Sequence, residues 1–206
     1  MVPMIQRQLR ARLAALITPP ARFLLSIGLT ANAVTAIGGL GAVASSLFFF
    51  TRGEFLMGTI LVAFFVLSDL LDGTMARLSH NGGTPLGALF DSTLDRFTDA
   101  CILLGIYLFY QYSEPLLANL LLSNLLLGVL ISYIRARAES LELECSVGIA
   151  ERSERLIIIL IGTGFLGLGF TDGFLFTQIL LLILSTITVT QRMKTIALQS
   201  RRKIDD

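Results

Sequence analysis

Charge is scarce in this 206-residue chain: only 15% of its residues are Asp, Glu, Lys or Arg, against 54% that are hydrophobic. That balance excludes an ordinary soluble domain of this length and leaves an all-α integral membrane protein with several spans. Cysteine is nearly absent, and Cys101 and Cys145 have neither disulfide nor metal-ligand spacing, so no function is expected of either. The single histidine, His80, falls in a turn-forming stretch and reads as a solvated side chain. Internal repeats and a cleavable secretory signal are also missing. The net charge of +1 says little about partners, because the distribution of the charges carries more than their sum.

What the chain does have is a concentration of carboxylates where hydropathy predicts membrane helices. Asp69-Leu-Leu-Asp72-Gly73 leads to Arg77, and Gly87 leads to Asp91, Asp95 and Asp99. An ionised side chain in a membrane costs several kcal/mol unless it is paired, hydrated or bound to a cation. On helices, Asp69 and Asp72 are i, i+3 neighbours, and Asp91, Asp95 and Asp99 follow one another at i, i+4, so each set lines one face. Two converging acidic faces would repel, a penalty that a divalent cation removes, and an oxygen-only ligand set favours Mg²⁺ or Mn²⁺ over zinc. Phosphoryl chemistry follows from such a site. A cation pathway in a transporter is the alternative of another class. Asp99 is expected to pair with Arg96.

Gly73 and Gly87 remove side chains beside the carboxylates and permit close approach of a ligand or a neighbouring helix. Between Arg77 and Gly87 lies a segment containing His80, Asn81, Gly82, Gly83 and Pro85, a strong turn signal.

Six spans are predicted, at about 32–51, 55–77, 86–111, 115–138, 153–171 and 174–194. The preceding residues, 1–30, carry Arg7, Arg10, Arg12 and Arg22 with no acidic residue, and Ile5, Leu9, Leu13 and Leu16 recur at helical spacing. They form a separate juxtamembrane segment before a six-helix domain over 31–206, and read as an amphipathic interfacial helix ended by Pro19 and Pro20. An organellar transit peptide has a similar composition. Basic residues gather on one predicted side, at Arg77, Arg135, Arg137, Arg152, Arg155, Arg192 and the C-terminal tail. The positive-inside rule then places both termini and the aspartate cluster on the cytoplasmic side. Arg135, Arg137, Arg155 and Arg192 could converge on a phosphate, or they could be anchors snorkelling to headgroups; the residues alone leave both open.

D-x-x-D-G-x-x-A-R followed by G-x-x-x-D-x-x-x-D resembles the signature of the CDP-alcohol phosphotransferases, membrane enzymes of phospholipid synthesis. The spacer from Arg77 to Gly87 is one residue longer than is common there. S-Y-I-R-A-R-A-E from Ser132 with E-R-S-E-R-L from Glu151 is similar to the actinobacterial phosphatidylinositol phosphate synthases in particular. The resemblance implies a homodimer in the inner (plasma) membrane, surrounded by membrane lipid, with Mg²⁺ (or Mn²⁺) on Asp69, Asp72, Asp91 and Asp95. It implies CDP-diacylglycerol held by Asn32, Ala33, Val34, Thr35, Gly73, Arg77 and Thr84. It implies Asp95 as general base, and inositol 1-phosphate held by Arg137, Arg155 and Arg192 with Ser132 and Arg135 as helpers. No nucleic-acid partner is implied. A same-family alternative uses glycerol 3-phosphate to make phosphatidylglycerol phosphate. Many relatives have proline and often aspartate where this chain has Ala31 and Asn32; asparagine still suits a helix N-cap.

Overall fold

The computed structural model describes residues 16–78 and 84–205, with side chains described over 16–68, 71–78 and 84–201, and every regular element among them is helical. Helix α1 covers residues 16–26. It is followed by α2 (Ala31–Phe49), a 3₁₀ turn (Phe50–Arg52), α3 (Phe55–Val66), α4 (Asp69–Leu78), α5 (Pro85–Tyr110), α6 (Pro115–Ser140), α7 (Arg152–Gly167) and α8 (Thr171–Asp205). Arg7, Arg10, Arg12 and the apolar positions up to Leu13 lie outside the described residues, as does the turn segment with His80. The amphipathic reading therefore reaches the structure only through α1.

Pro19 and Pro20 do not end that helix; it continues to residue 26 and stops at Gly28, whose φ of +86° is left-handed. A proline holds φ at a helical value and obstructs the turn upstream of it, not the residues that follow.

Among the described residues, four segments are long and apolar enough to cross a membrane: Ala31–Arg52, Phe55–Leu78, Pro115–Ser140 and Thr171–Arg201. The predicted spans on α5 and α7 fall short of that for identifiable reasons. Helix α5 has 26 residues, but Asp91, Asp95, Arg96 and Asp99 charge its central turns. Helix α7 has only 16 residues, about 24 Å of rise against a hydrocarbon core of about 30 Å.

The chain divides into two compact units. The first comprises Met1–Val43 and Leu61–Thr98. Its apolar core joins Ala21 of α1, Val34 of α2 and Met75 of α4, with Leu24, Leu25, Leu29 and Leu71 packed around them. Helix α2 makes close approaches through glycine: a Cβ at Gly39 would collide with Leu94, and one at Gly41 with Phe65. Small residues let helices approach in this way where no water drives them together. The predicted span 55–77 is broken at Leu67–Ser68. Ser68 Oγ donates to Phe65 O at 2.6 Å, and Ser68 O accepts from the amides of Leu71 and Asp72, so the chain restarts as α4 at Asp69. A serine that bonds a nearby carbonyl competes with the helix ladder.

The second unit comprises Ala44–Ile60 and Asp99–Asp206. Phe50, Phe55, Phe109, Tyr110 and Phe174 form a chain of ring contacts with centroids 4.9–6.4 Å apart. Helix α8 packs against both α6 and α7. Its inward face carries Gln178, Ser185, Thr188 and Arg192, while Phe176, Ile179, Ile183 and Ile187 are exposed. Polar inside and apolar outside is the arrangement expected where the surroundings are lipid. Asn124 of α6 donates through Nδ2 to the backbone and side-chain oxygens of Gln178, a buried polar tie between α6 and α8. Gly162 faces Thr177, and Gly167 faces the backbone of Leu56, so these two glycines serve close packing.

Candidate active site

A cavity of about 400 Å³ lies in the first unit, lined by Ala31, Asn32, Thr35, Asp72, Gly73, Ala76, Thr84, Pro85, Gly87, Ala88 and Asp91. It gathers residues from the start of α2, from α4 and from the start of α5. Six residues singled out in the sequence as ligand or metal contacts are among them: Asn32, Thr35, Asp72, Gly73, Thr84 and Asp91.

Local structure explains how each arrives there. The break at Ser68 makes Asp69 the first residue of α4 and puts Asp72 in its opening turn, where the helix dipole favours negative charge. The Asp72 carboxylate is buried, and Thr35 Oγ1 of α2 donates to its Oδ2 at 2.5 Å. The side chain of Asp69 lies outside the described residues. Gly73 follows on the same helix, and a Cβ there would meet nothing within 4 Å, so its missing side chain is open cavity. Gly87 differs: a Cβ would come within 3.0 Å of Asn32 Oδ1 and 3.1 Å of Thr84 Oγ1, so this glycine brings α5 against α2.

Thr84 both lines the cavity and caps α5. Its Oγ1 accepts from the Gly87 amide at 3.0 Å, its carbonyl accepts from Ala88, and Pro85 occupies the first helical position. The cap of α2 is Thr30, not Asn32: Thr30 Oγ1 accepts from the Ala33 amide at 3.2 Å, one residue pair earlier than the sequence suggested. Asn32, freed from capping, faces the cavity. Ala33 is absent from the lining, Val34 is buried in the core with Ala21 and Met75, and Arg77 is exposed with Nη2 donating to Thr74 Oγ1. Asp95 stands one turn beyond Asp91 on α5, its side chain 15% exposed, with Arg96 Nη1 3.7 Å away.

Asp99 does not pair with Arg96. Arg96 reaches back to Ser92 O at 2.6 Å, as helical side chains lean toward the N-terminus, and Asp99 Oδ2 meets Arg152 Nε of α7 at 3.4 Å.

The arginines of the second unit fall into two kinds. Arg135 and Arg137 are exposed near the end of α6, where Arg135 pairs with Glu139 and Arg137 Nη1 donates to Ser140 Oγ. Arg155 and Arg192 are buried, at 7% and 2% exposure. Arg155 Nη1 donates to Ala150 O, while Arg192 donates through Nε to Val147 O and through Nη1 to Ile131 O. Ser132 bonds back to Gly128 O.

Residues 28–197 match the family model of the CDP-alcohol phosphatidyltransferases. The chain belongs to that family. Among curated members, the phosphatidylinositol phosphate synthase of Mycobacterium tuberculosis (strain ATCC 25618 / H37Rv) is 40% identical over 193 residues, covering 91% of this chain and 88% of its own. Its crystal structure with CDP-DAG bound superposes with a TM-score of 0.83 at 39% identity, over 89% of this chain and 94% of that one. A second structure of that enzyme, in complex with manganese and citrate, gives a TM-score of 0.82 over 87% and 88%.

The donor set suits the hard divalent cation that a CDP-alcohol phosphatidyltransferase would use. Asp72 and Asp91 present oxygen alone to one cavity, and Gly73 leaves the space beside them empty of side chain. Among the described residues no three His, Cys, Asp or Glu side chains gather into a nest, and the side chain of Asp69 lies outside those residues. Sequence reasoning missed Thr30 and Ser68, which start the two helices at the cavity, and Pro85 and Ala88 in its wall. Thr84 followed by Pro85 carried a helix-start signal of its own.

Proposed function

We propose that this chain transfers the phosphatidyl group of CDP-diacylglycerol to inositol 1-phosphate, releasing CMP and forming phosphatidylinositol phosphate. The observation that carries this reading is the cavity in which Asn32, Thr35, Asp72, Gly73, Thr84 and Asp91 meet, in a chain similar over most of its length to phosphatidylinositol phosphate synthases.

Gly73 leaves room for the pyrophosphate to approach α4, with Asn32 and Thr84 beside the nucleotide and Arg77 at the mouth of the turn. Asp69, Asp72, Asp91 and Asp95 would hold Mg²⁺ or Mn²⁺, which when bound stabilises negative charge on phosphoryl oxygens. Thr35 holds the Asp72 carboxylate in place through its hydrogen bond to Oδ2. Asp95 acts as general base: it takes the proton from an inositol hydroxyl as that oxygen bonds to the phosphorus bearing diacylglycerol, and the bond from that phosphorus to CMP breaks. Arg137, Arg155 and Arg192, with Ser132 and Arg135, hold the acceptor's phosphate by charge-assisted hydrogen bonds.

The topology we read has α5 and α7 completing six spans, with both termini and the aspartates cytoplasmic and α1 lying at the interface. Exposed Leu16 and Phe23, which share one face of α1, and exposed Ile27 just beyond its end support the interfacial placement. A homodimer is part of the same reading. Mass analysis of the lipid made from CDP-diacylglycerol and inositol 1-phosphate tests the function: phosphatidylinositol phosphate supports it, and formation of phosphatidylglycerol phosphate alone, when glycerol 3-phosphate is also supplied, replaces it.

A further inference from the structure

Two buried guanidinium groups in the second unit are fastened to the same short stretch of irregular backbone. Arg155 Nη1 donates to Ala150 O at 3.1 Å, and Arg192 Nε donates to Val147 O at 2.9 Å. The segment from Val147 to Ala150 belongs to no helix, so its own position must be set from outside. Thr188 of α8, fully buried and one turn before Arg192, is hydrogen-bonded to it. Thr188 Oγ1 accepts from the Ala150 amide at 3.0 Å and donates to Leu184 O at 2.8 Å, so the hydroxyl is committed within the protein on both counts. Gly148 completes the seat. Its φ of +143° is unfavourable for other residues, and a Cβ there would lie 2.6 Å from Thr188 Cγ2 and 3.6 Å from Arg192 Nε. The backbone therefore lies directly against Thr188.

We infer that Thr188 is a positioning residue for the acceptor: through Ala150 and the Val147–Ala150 segment it sets how the Arg155 and Arg192 guanidinium groups are oriented toward a phosphate monoester. This rests on the reading of those arginines as holders of the acceptor's phosphate. A planar guanidinium pairs well with phosphate only in a narrow range of orientations, so a loosened seat weakens acceptor binding before it affects the chemistry.

The test uses full-length protein in detergent micelles, with CMP release measured against inositol 1-phosphate and, separately, against CDP-diacylglycerol. Thr188→Val keeps the methyl that touches Gly148 and removes the hydroxyl. It should raise the KM for inositol 1-phosphate about tenfold, leave the KM for CDP-diacylglycerol and kcat within about twofold, and be rescued by Thr188→Ser. If Thr188→Val does not accumulate as folded protein, Thr188→Ala is read by the same criterion. An unchanged acceptor KM, or an equal loss toward both substrates, overturns the inference. Arg155→Ala and Arg192→Ala run alongside: if they leave the acceptor KM unchanged, the phosphate assignment beneath the inference fails; if they raise it while Thr188→Val does not, only the positioning role fails.

Discussion

Thr35 of α2 donates its hydroxyl to the buried carboxylate of Asp72 on α4, 2.5 Å away, across the wall of the cavity. The bond ties the acidic motif to a second helix and leaves one carboxylate oxygen fixed in direction. Thr35→Val keeps the shape and removes the donor. Partners that orient a metal ligand are commonly worth ten- to a hundredfold in metal affinity, so the Mn²⁺ concentration for half-maximal CMP release should rise by about tenfold or more, with Thr35→Ser close to the unmodified protein.

Gly73 and Gly87 should respond differently to the same methyl group. At Gly73 the added Cβ meets nothing, and replacing glycine inside a helix stabilises by about 0.5–1 kcal/mol. Gly73→Ala should therefore melt no lower than the unmodified protein yet raise the KM for CDP-diacylglycerol severalfold, by filling ligand space. Gly87→Ala presses on Asn32 and Thr84, and thermal unfolding should show it destabilised.

The ion pair between Asp99 and Arg152 joins α5 to α7, with both side chains about a quarter exposed. Partial solvent access limits its worth to about 1–2 kcal/mol. Asp99→Ala or Arg152→Ala should each lower the melting temperature by about 2–6 °C. The double variant should lose less than the two single losses added together, which is the signature of direct pairing.

Asp95→Asn retains size and polarity while removing the base. Turnover should fall by at least about a hundredfold, with CDP-diacylglycerol binding, followed by thermal shift, largely preserved. Retained turnover would take Asp95 out of the base role.

Where the sequence spoke through periodicity, the structure followed it. Helical spacing put Asp91 and Asp95 on successive turns of α5, and the apolar runs located α2, α6 and α8. What periodicity could not show was local competition for hydrogen bonds. Ser68 sits inside an apolar run and stops α3 through one hydroxyl, and Thr30 rather than Asn32 caps α2, because both outcomes depend on a single side chain and a nearby carbonyl or amide. Long-range pairing was equally hidden. Arg96 is Asp99's neighbour in sequence, but its side chain leans toward Ser92, leaving Asp99 to Arg152 on another helix. Of the predicted nucleotide contacts, Val34 was assigned by position in a motif, whereas its side chain completes the core under α1.

The most direct measurement of the central claim is CMP release by the purified protein with CDP-diacylglycerol and Mg²⁺ or Mn²⁺, comparing inositol 1-phosphate, free inositol and glycerol 3-phosphate, each with and without a chelator. The account predicts chelator-sensitive release that inositol 1-phosphate alone stimulates. Stimulation by glycerol 3-phosphate instead would contradict the acceptor assignment, and no metal-dependent release with any of the three would contradict the chemistry assigned to the aspartates.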